Sequence, residues 1–197
     1  MNIIEKEFRA TFEPVTLADI MLAIDICGIE ISGFANVEAI RNTFRIYGEA
    51  IILEQECSSG GTHLSELGRH KWELEMARSE KFKEIGRAKL WWHSHVFMPA
   101  EFSSIDTDTM RGFANSEDEF WLALVINKHR EFKLWLNIYR PISRLFINID
   151  NIEIEGNPTP REFKELLETR REIMREIIKD KVKKIEIFKG EIDDADP

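Results

Sequence analysis

The apolar positions of this chain change their period several times, and each change marks an element. Leu17, Ile20, Met21 and Ile24 share one face of a helix expected over Leu17–Cys27, with Thr16 as N-cap, Asp19 in the capping-box position and Gly28 as the stop. The extended stretch Ile29-Glu30-Ile31-Ser32-Gly33-Phe34-Ala35 follows at once, placing a carboxylate at a helix-to-strand junction. Two β-rich runs, Ala39–Tyr47 and Ala50–Cys57, read as a hairpin turning at Gly48-Glu49. A Ser-Ser-Gly-Gly-Thr loop at 58–62 leads into a helix expected from Leu64 to Phe82. The run Ala88–Trp92 reads as a buried strand that delivers His93-Ser94-His95 at its C-terminal end, and a loop over Val96–Phe102 leads to a helix start at Ser103–Asp106.

Further strands are expected at Phe120–Asn127, Phe132–Arg140 and Arg144–Glu155. Three start signals then coincide, with Thr159 as N-cap, Pro160 at the first helical position and Glu162 at the third, to open a long closing helix. Its stripe of Phe163, Leu166, Leu167, Ile173, Met174, Ile177, Ile178 and Val182 also contains Arg170, while Glu168–Arg171, Glu172–Arg175 and Glu176–Lys179 are i,i+3 pairs on the polar side. The stripe is expected to pack on the chain's own sheet, with a homodimer through this helix as the alternative. The organisation is one α/β domain over 1–157, the helix and its extension over 158–190, and a mobile acidic tail over 191–197.

Composition narrows the class. At 197 residues the chain is long enough for one self-sufficient core. A formal charge of -9 argues against a bulk grip on nucleic acid or an anionic membrane. The apolar run from Phe120 to Ile126 falls far short of the roughly 20 residues of a spanning helix, and the first residues carry no secretory signal pattern, so a cytoplasmic protein is expected. Cys27 and Cys57 have no second cysteine at ligand spacing. Two inert buried thiols are the reading, a disulfide between them the alternative. Any metal must therefore be held by histidine and carboxylate.

His93 and His95 stand two apart on a strand, so their side chains share a face. An isolated His-x-His is ordinary. Here seven residues separate His95 from Ser103, and Asp106 follows three positions on. His63, His70 and His129 stand singly and are read as surface or satisfied histidines, and the lysines at 179, 181, 183 and 184 as partners of a helix C-terminus.

With His93-Ser94-His95, Ser103 and Asp106, and with Glu30-Ile31-Ser32-Gly33 upstream as a Glu-x-x-Gly segment, the chain resembles the JAMM, or MPN-type, zinc metalloproteases over about residues 14 to 140. It departs from the usual pattern where Val96, not proline, follows the second histidine. The resemblance implies a cytidine-deaminase-like α/β fold, a curved mixed sheet flanked by helices, making 1–157 a catalytic domain. It also implies a ubiquitin-like protein or its conjugates as substrate, cut after the modifier's C-terminal glycine. In physical terms, His93, His95 and Asp106 would leave a tetrahedral zinc, one per chain, a single open position for water. Glu30 would act as general base and then acid, and Ser103 as oxyanion donor, with a purely capping role as its alternative. Processing of a sulfur-carrier-like protein or linear peptide tail keeps the same chemistry. A non-catalytic scaffold would usually lack a ligand, and a zinc deaminase would show His-x-Glu and Cys-x-x-Cys, which this sequence does not.

Overall fold

The computed structural model describes residues 7–113, 119–140 and 145–185, and a mixed eight-stranded sheet lies at the centre of the protein. The chain enters through β1 (Arg9–Phe12) and α1 (Pro14–Cys27), then forms β2 (Ser32–Ile40), β3 (Thr43–Ile51), β4 (Gln55–Ser58) and β5 (Gly61–Leu64). Helices α2 (Glu66–Arg78) and α3 (Phe82–Arg87) lead to β6 (Leu90–His95), α4 (Ser104–Gly112), β7 (Phe120–Asn127) and β8 (Phe132–Ile138). The strands β9 (Leu145–Asn148) and β10 (Asn151–Ile154), the long helix α5 (Pro160–Lys181) and β11 (Val182–Lys184) complete the fold. Strand order in the curled large sheet is β10-β1-β3-β2-β6-β7-β8-β9, and β11-β4-β5 make a separate three-stranded sheet. The expected α/β class, with a curved mixed sheet flanked by helices and a long C-terminal helix, agrees with this architecture.

Central position explains the composition of β6 and β7. These two parallel strands are apolar on both faces because helices cover both. Leu90, Trp92, Leu122 and Leu124 join the core formed with α1 and with Met174 and Ile178 of α5. Trp91, Trp121 and Ala123 face the other way, onto Met110 of α4 and Phe34. The alternation continues past the apolar run, so His93 and His95 emerge on the α4 side and Ser94 on the opposite one. The stripe of α5 packs on the chain's own core through Leu167, Met174, Ile177 and Ile178. Arg170 belongs to that stripe because its guanidinium bonds both carboxylate oxygens of Asp19 on α1, each at 2.9 Å.

Several boundaries differ from the sequence expectation. Helix α1 begins at Pro14, whose fixed φ and missing N–H suit a first helical position. Thr16 is therefore inside the helix, donating its hydroxyl to the Gly48 carbonyl, and Asp19 turns to Arg170 and to the Ala50 N–H instead of capping. The hairpin turns at Arg41-Asn42, with Arg41 at φ 60°, and not at Gly48-Glu49. Gly48 at φ 76° sits in a bulge of β3, where the pairing register shifts. The helix expected over Leu64–Phe82 begins later and ends earlier, at Arg78, and a separate short helix starts at Phe82. Leu64 belongs to β5, the Ser65 hydroxyl caps α2 by accepting the Gly68 N–H at 3.1 Å, and Glu80 at φ 59° separates α2 from α3. The single strand expected over Arg144–Glu155 is two, β9 and β10, on opposite edges of the sheet; position 144 lies outside the described residues.

Strand β7 and helix α5 have the expected starts, and α5 opens with the full Thr159/Glu162 capping box. Cys27 and Cys57 are buried free thiols. The acidic segment 191–197 lies outside the described residues. Among the described residues, no helix is long and apolar enough to cross a membrane.

Candidate metal centre

Strand β6 fixes two of the candidate ligands and the start of α4 fixes the third. The connecting loop is tied to the end of β7, where Asn127 Nδ2 donates to the Met98 carbonyl at 3.0 Å and the Lys128 N–H to the Val96 carbonyl at 3.2 Å. Ser103 then caps α4. Its hydroxyl accepts the Asp106 N–H at 3.2 Å, and the Ser103 N–H and hydroxyl both donate to Asp106 Oδ2 at 2.7 Å. The capping spacing thus turns the third ligand back toward the strand.

The three side chains converge through single atoms. His93 Nε2 lies 3.2 Å from His95 Nε2 and 3.2 Å from Asp106 Oδ1, and His95 Nε2 lies 3.8 Å from Asp106 Oδ2. Bond lengths of about 2.0 to 2.1 Å place ligand atoms about 3.3 Å apart around a tetrahedral ion, so the separations match such a site. The donor chemistry fits as well. His95 Nδ1 lies 3.0 Å from the Pro99 carbonyl, which can only accept, so the proton belongs on Nδ1 and Nε2 presents a lone pair. Burial lowers the pKa of His93 against the opposing pull of Asp106, a direction that favours the neutral ring. At Asp106 burial pushes upward, but His93 and the two Ser103 donors outweigh it and bring the carboxyl down to about 2. Two imidazole nitrogens and one carboxylate, all buried and within ligand reach of one another, form a donor set that could hold a divalent cation.

Glu30 reaches the same cleft from the link between α1 and β2. The cleft, of about 490 Å³, is lined by Glu30, both histidines, Asp106, Trp91 and the Gly60–Leu64 segment among others. Glu30 is only 6 % exposed, and its Oε1 is buried without a hydrogen-bond partner. Burial pushes its carboxyl up to about 6, with His95 pulling down and Asp106 adding to the rise. A buried acceptor without a donor, beside a cluster shaped for a cation, is a group with an unmet demand for a proton or a water.

All five expected site residues line this one cleft, and Ser103 is in addition the N-cap of α4. His63, His70 and His129 are exposed, as expected, although His63 borders the cleft. Sequence reasoning passed over Trp91, whose indole stacks on His93 with centroids 4.5 Å apart at 20°. It also passed over Gln55, the chain's one glutamine, which is buried and hydrogen-bonded to both main-chain groups of Ser32. The period of two along β6 could have flagged Trp91. No local pattern announces Gln55.

No protein-family model matches the chain, and no curated protein matches it in sequence. Among solved structures, it is similar to the solution structure of protein DSY2949 from Desulfitobacterium hafniense, with 14 % identity, 78 % of this chain and 97 % of that chain covered, and a TM-score of 0.48.

Proposed function

We propose that the protein is a zinc-dependent peptidase of the JAMM/MPN type, cutting the peptide or isopeptide bond after the C-terminal glycine of a ubiquitin-like modifier. One observation carries the reading: His93, His95 and Asp106 converge at cation-binding distances in the cleft that also holds the unpartnered Oε1 of Glu30. A bound zinc would supply Lewis acidity and a water acidified toward a pKa of about 7. His93 and His95 would hold it through Nε2 and Asp106 through its carboxylate. Glu30 Oε1 takes the proton of the attacking water and returns it to the departing amine, a role suited to a carboxyl whose pKa burial has raised toward neutrality. Ser103 holds Asp106 in line, and its hydroxyl can serve an oxyanion only by leaving Asp106 Oδ2.

The substrate class rests on the cleft wall. Strand β5 is an edge strand, paired on one side only within the described residues, and its residues line the cleft. An extended tail can add to that edge by main-chain hydrogen bonds. Gly60 and Gly61 leave no side chains at that point of the wall, which suits a tail ending in small residues.

The test is incubation of the zinc-loaded chain with ubiquitin-like proteins bearing C-terminal extensions or isopeptide-linked partners, with a chelator control. About one zinc per chain and chelator-sensitive cleavage after the terminal glycine are expected. Glu30→Gln should keep the metal and lose roughly 10²- to 10⁴-fold in kcat, the usual share of general acid–base catalysis. Purified protein without affinity for zinc overturns the reading.

A further inference from the structure

Glu30 belongs to no helix or strand, so something other than a regular ladder has to hold it. The Glu30 N–H donates to the Ser58 carbonyl at 3.1 Å, and both main-chain groups of Ser32 are bonded by the Gln55 amide, at 3.0 and 2.8 Å. The residue between them, Ile31, is held by Ser94 alone among these contacts. Its carbonyl accepts the Ser94 N–H at 2.9 Å, and its N–H donates to the Ser94 hydroxyl at 3.0 Å.

That second bond is the informative one. β2 and β6 are antiparallel with Ser32 opposite His93, which puts Ile31 opposite Ser94. A continuing ladder would return the Ile31 N–H to the Ser94 carbonyl. Instead a side-chain oxygen accepts it, and β2 as a strand begins only at Ser32. The substitution of a hydroxyl for a carbonyl lets the chain leave the ladder at the residue next to Glu30 while the Ile31 N–H keeps a partner. Ser94 is fully buried, and the alternation of β6 turns its side chain away from the face bearing His93 and His95. It touches neither the candidate ion nor the cleft.

We propose that Ser94 is a positioning residue: by accepting the Ile31 N–H, its hydroxyl sets where the Glu30 carboxylate stands relative to an ion held by the histidines on either side of it. The inference rests on the reading of Glu30 as the proton carrier. One residue then couples the two halves of the site, since the strand that carries the two histidines also carries the support of the base. Serine and threonine offer the acceptor at this reach. Alanine leaves a buried N–H without a partner.

The experiment compares the full-length, zinc-loaded wild type with Ser94→Ala and Ser94→Thr. It measures zinc content, amide hydrogen exchange, and kcat and KM on a ubiquitin-like protein with a C-terminal extension. Ser94→Ala is expected to retain one zinc per chain and to lose exchange protection at Ile31 and Glu30 while β6 and β7 stay protected. Its kcat should fall on the order of 10²-fold, the effect of a small misplacement of a reacting group, with KM within about twofold. Ser94→Thr should restore both protection and kcat. Unchanged local protection or unchanged kcat in Ser94→Ala overturns the proposal, as does loss of its zinc. If Ser94→Ala does not fold, the threonine variant decides, and a fall in its kcat with zinc retained overturns the proposal. A wild type that binds zinc and cleaves nothing overturns the functional reading, and with it the link between Ser94 and turnover; the exchange result still reports whether Ser94 holds Glu30.

Discussion

Ser103 and Asp106 cap each other reciprocally, and the capping box that starts helix α4 also aims a candidate metal ligand. Asp106 Oδ2 receives both the N–H and the hydroxyl of Ser103, each at 2.7 Å, while Oδ1 faces His93 Nε2 at 3.2 Å. Ser103→Ala should therefore have two separable effects. Loss of the cap is expected to cost about 1 kcal/mol of stability in urea denaturation. Loss of the orienting donor should weaken zinc binding roughly 10- to 100-fold in competition titrations. Asp106→Ala, which removes the ligand itself, should weaken it further. Equal zinc affinity in Ser103→Ala and wild type would show that Ser103 acts on the helix alone.

Gly33 is required by space. A Cβ there would stand 2.6 Å from the Ile51 carbonyl oxygen and 2.6 Å from the Trp92 ring. The first of these is backbone and the second a fully buried indole, so neither can yield cheaply. Gly33→Ala is expected to destabilise by about 1 to 3 kcal/mol, the range for an overpacked core, read as a lowered urea midpoint. An unchanged midpoint would mean that β2 can slide away from β3.

The tie between α1 and α5 makes a third prediction. The Asp19 side chain is 1 % exposed and meets the Arg170 guanidinium, which is itself 12 % exposed. Burial raises the Asp19 pKa and Arg170 opposes that rise. Arg170→Met leaves the Ala50 N–H as Asp19's hydrogen-bond donor, at 3.2 Å, and should cost about 3 to 5 kcal/mol, as when one member of a buried pair is removed. Adding Asp19→Asn should recover much of the loss. A loss under about 1 kcal/mol in the single variant would place the pair among solvent-screened bridges.

The first turn of α5 should respond to acid. The Glu162 carboxylate accepts the Thr159 N–H at 2.7 Å and the Thr159 hydroxyl at 2.8 Å, and these two bonds lower its pKa. A depressed carboxyl pKa means that the folded form prefers the ionised group, so the contribution is present above the unfolded value near 4.3 and fades as pH falls through the folded one. Hydrogen exchange at Glu162 and Phe163, corrected for intrinsic rates, should show less protection at pH 3 than at pH 6. Thr159→Ala, which loses the hydroxyl and keeps the backbone donor, should shrink that difference, and Glu162→Ala should remove it. Protection independent of pH would remove Glu162 from the cap.

Legibility of the site in the sequence followed from local spacing. His93 and His95 are placed by the period of a strand, and Ser103 and Asp106 by the three-residue span of a capping box, so four of the five groups sit where short-range geometry requires. Glu30 was readable through Gly33, whose missing side chain is a packing requirement of the same segment. The misread elements are those in which a local signal has two uses. Thr16 and Asp19 carry the spacing of a cap, yet one meets Gly48 and the other Arg170, both distant in sequence. Gly48 has the positive φ of a turn and uses it in a bulge. The short strands β1, β10 and β11 are defined by partners far along the chain, and four or fewer residues hold too little pattern to announce that.

Strand β11 has a temporal consequence. It pairs with β4 across a wide gap in the chain, with Lys183 bonded to Glu56 at a separation of 127 residues. Until those residues are synthesised, β4 and β5 are a two-stranded hairpin tied to the body through bonds such as Gln55 to Ser32 and Glu30 to Ser58, without the third strand that a stable small sheet wants. The cleft wall that β5 contributes to therefore gains the third strand of its sheet only once the segment after α5 has been made. A nascent chain carries its histidines and its glutamate long before this wall has all its strands, so the cleft is completed only after the groups it surrounds.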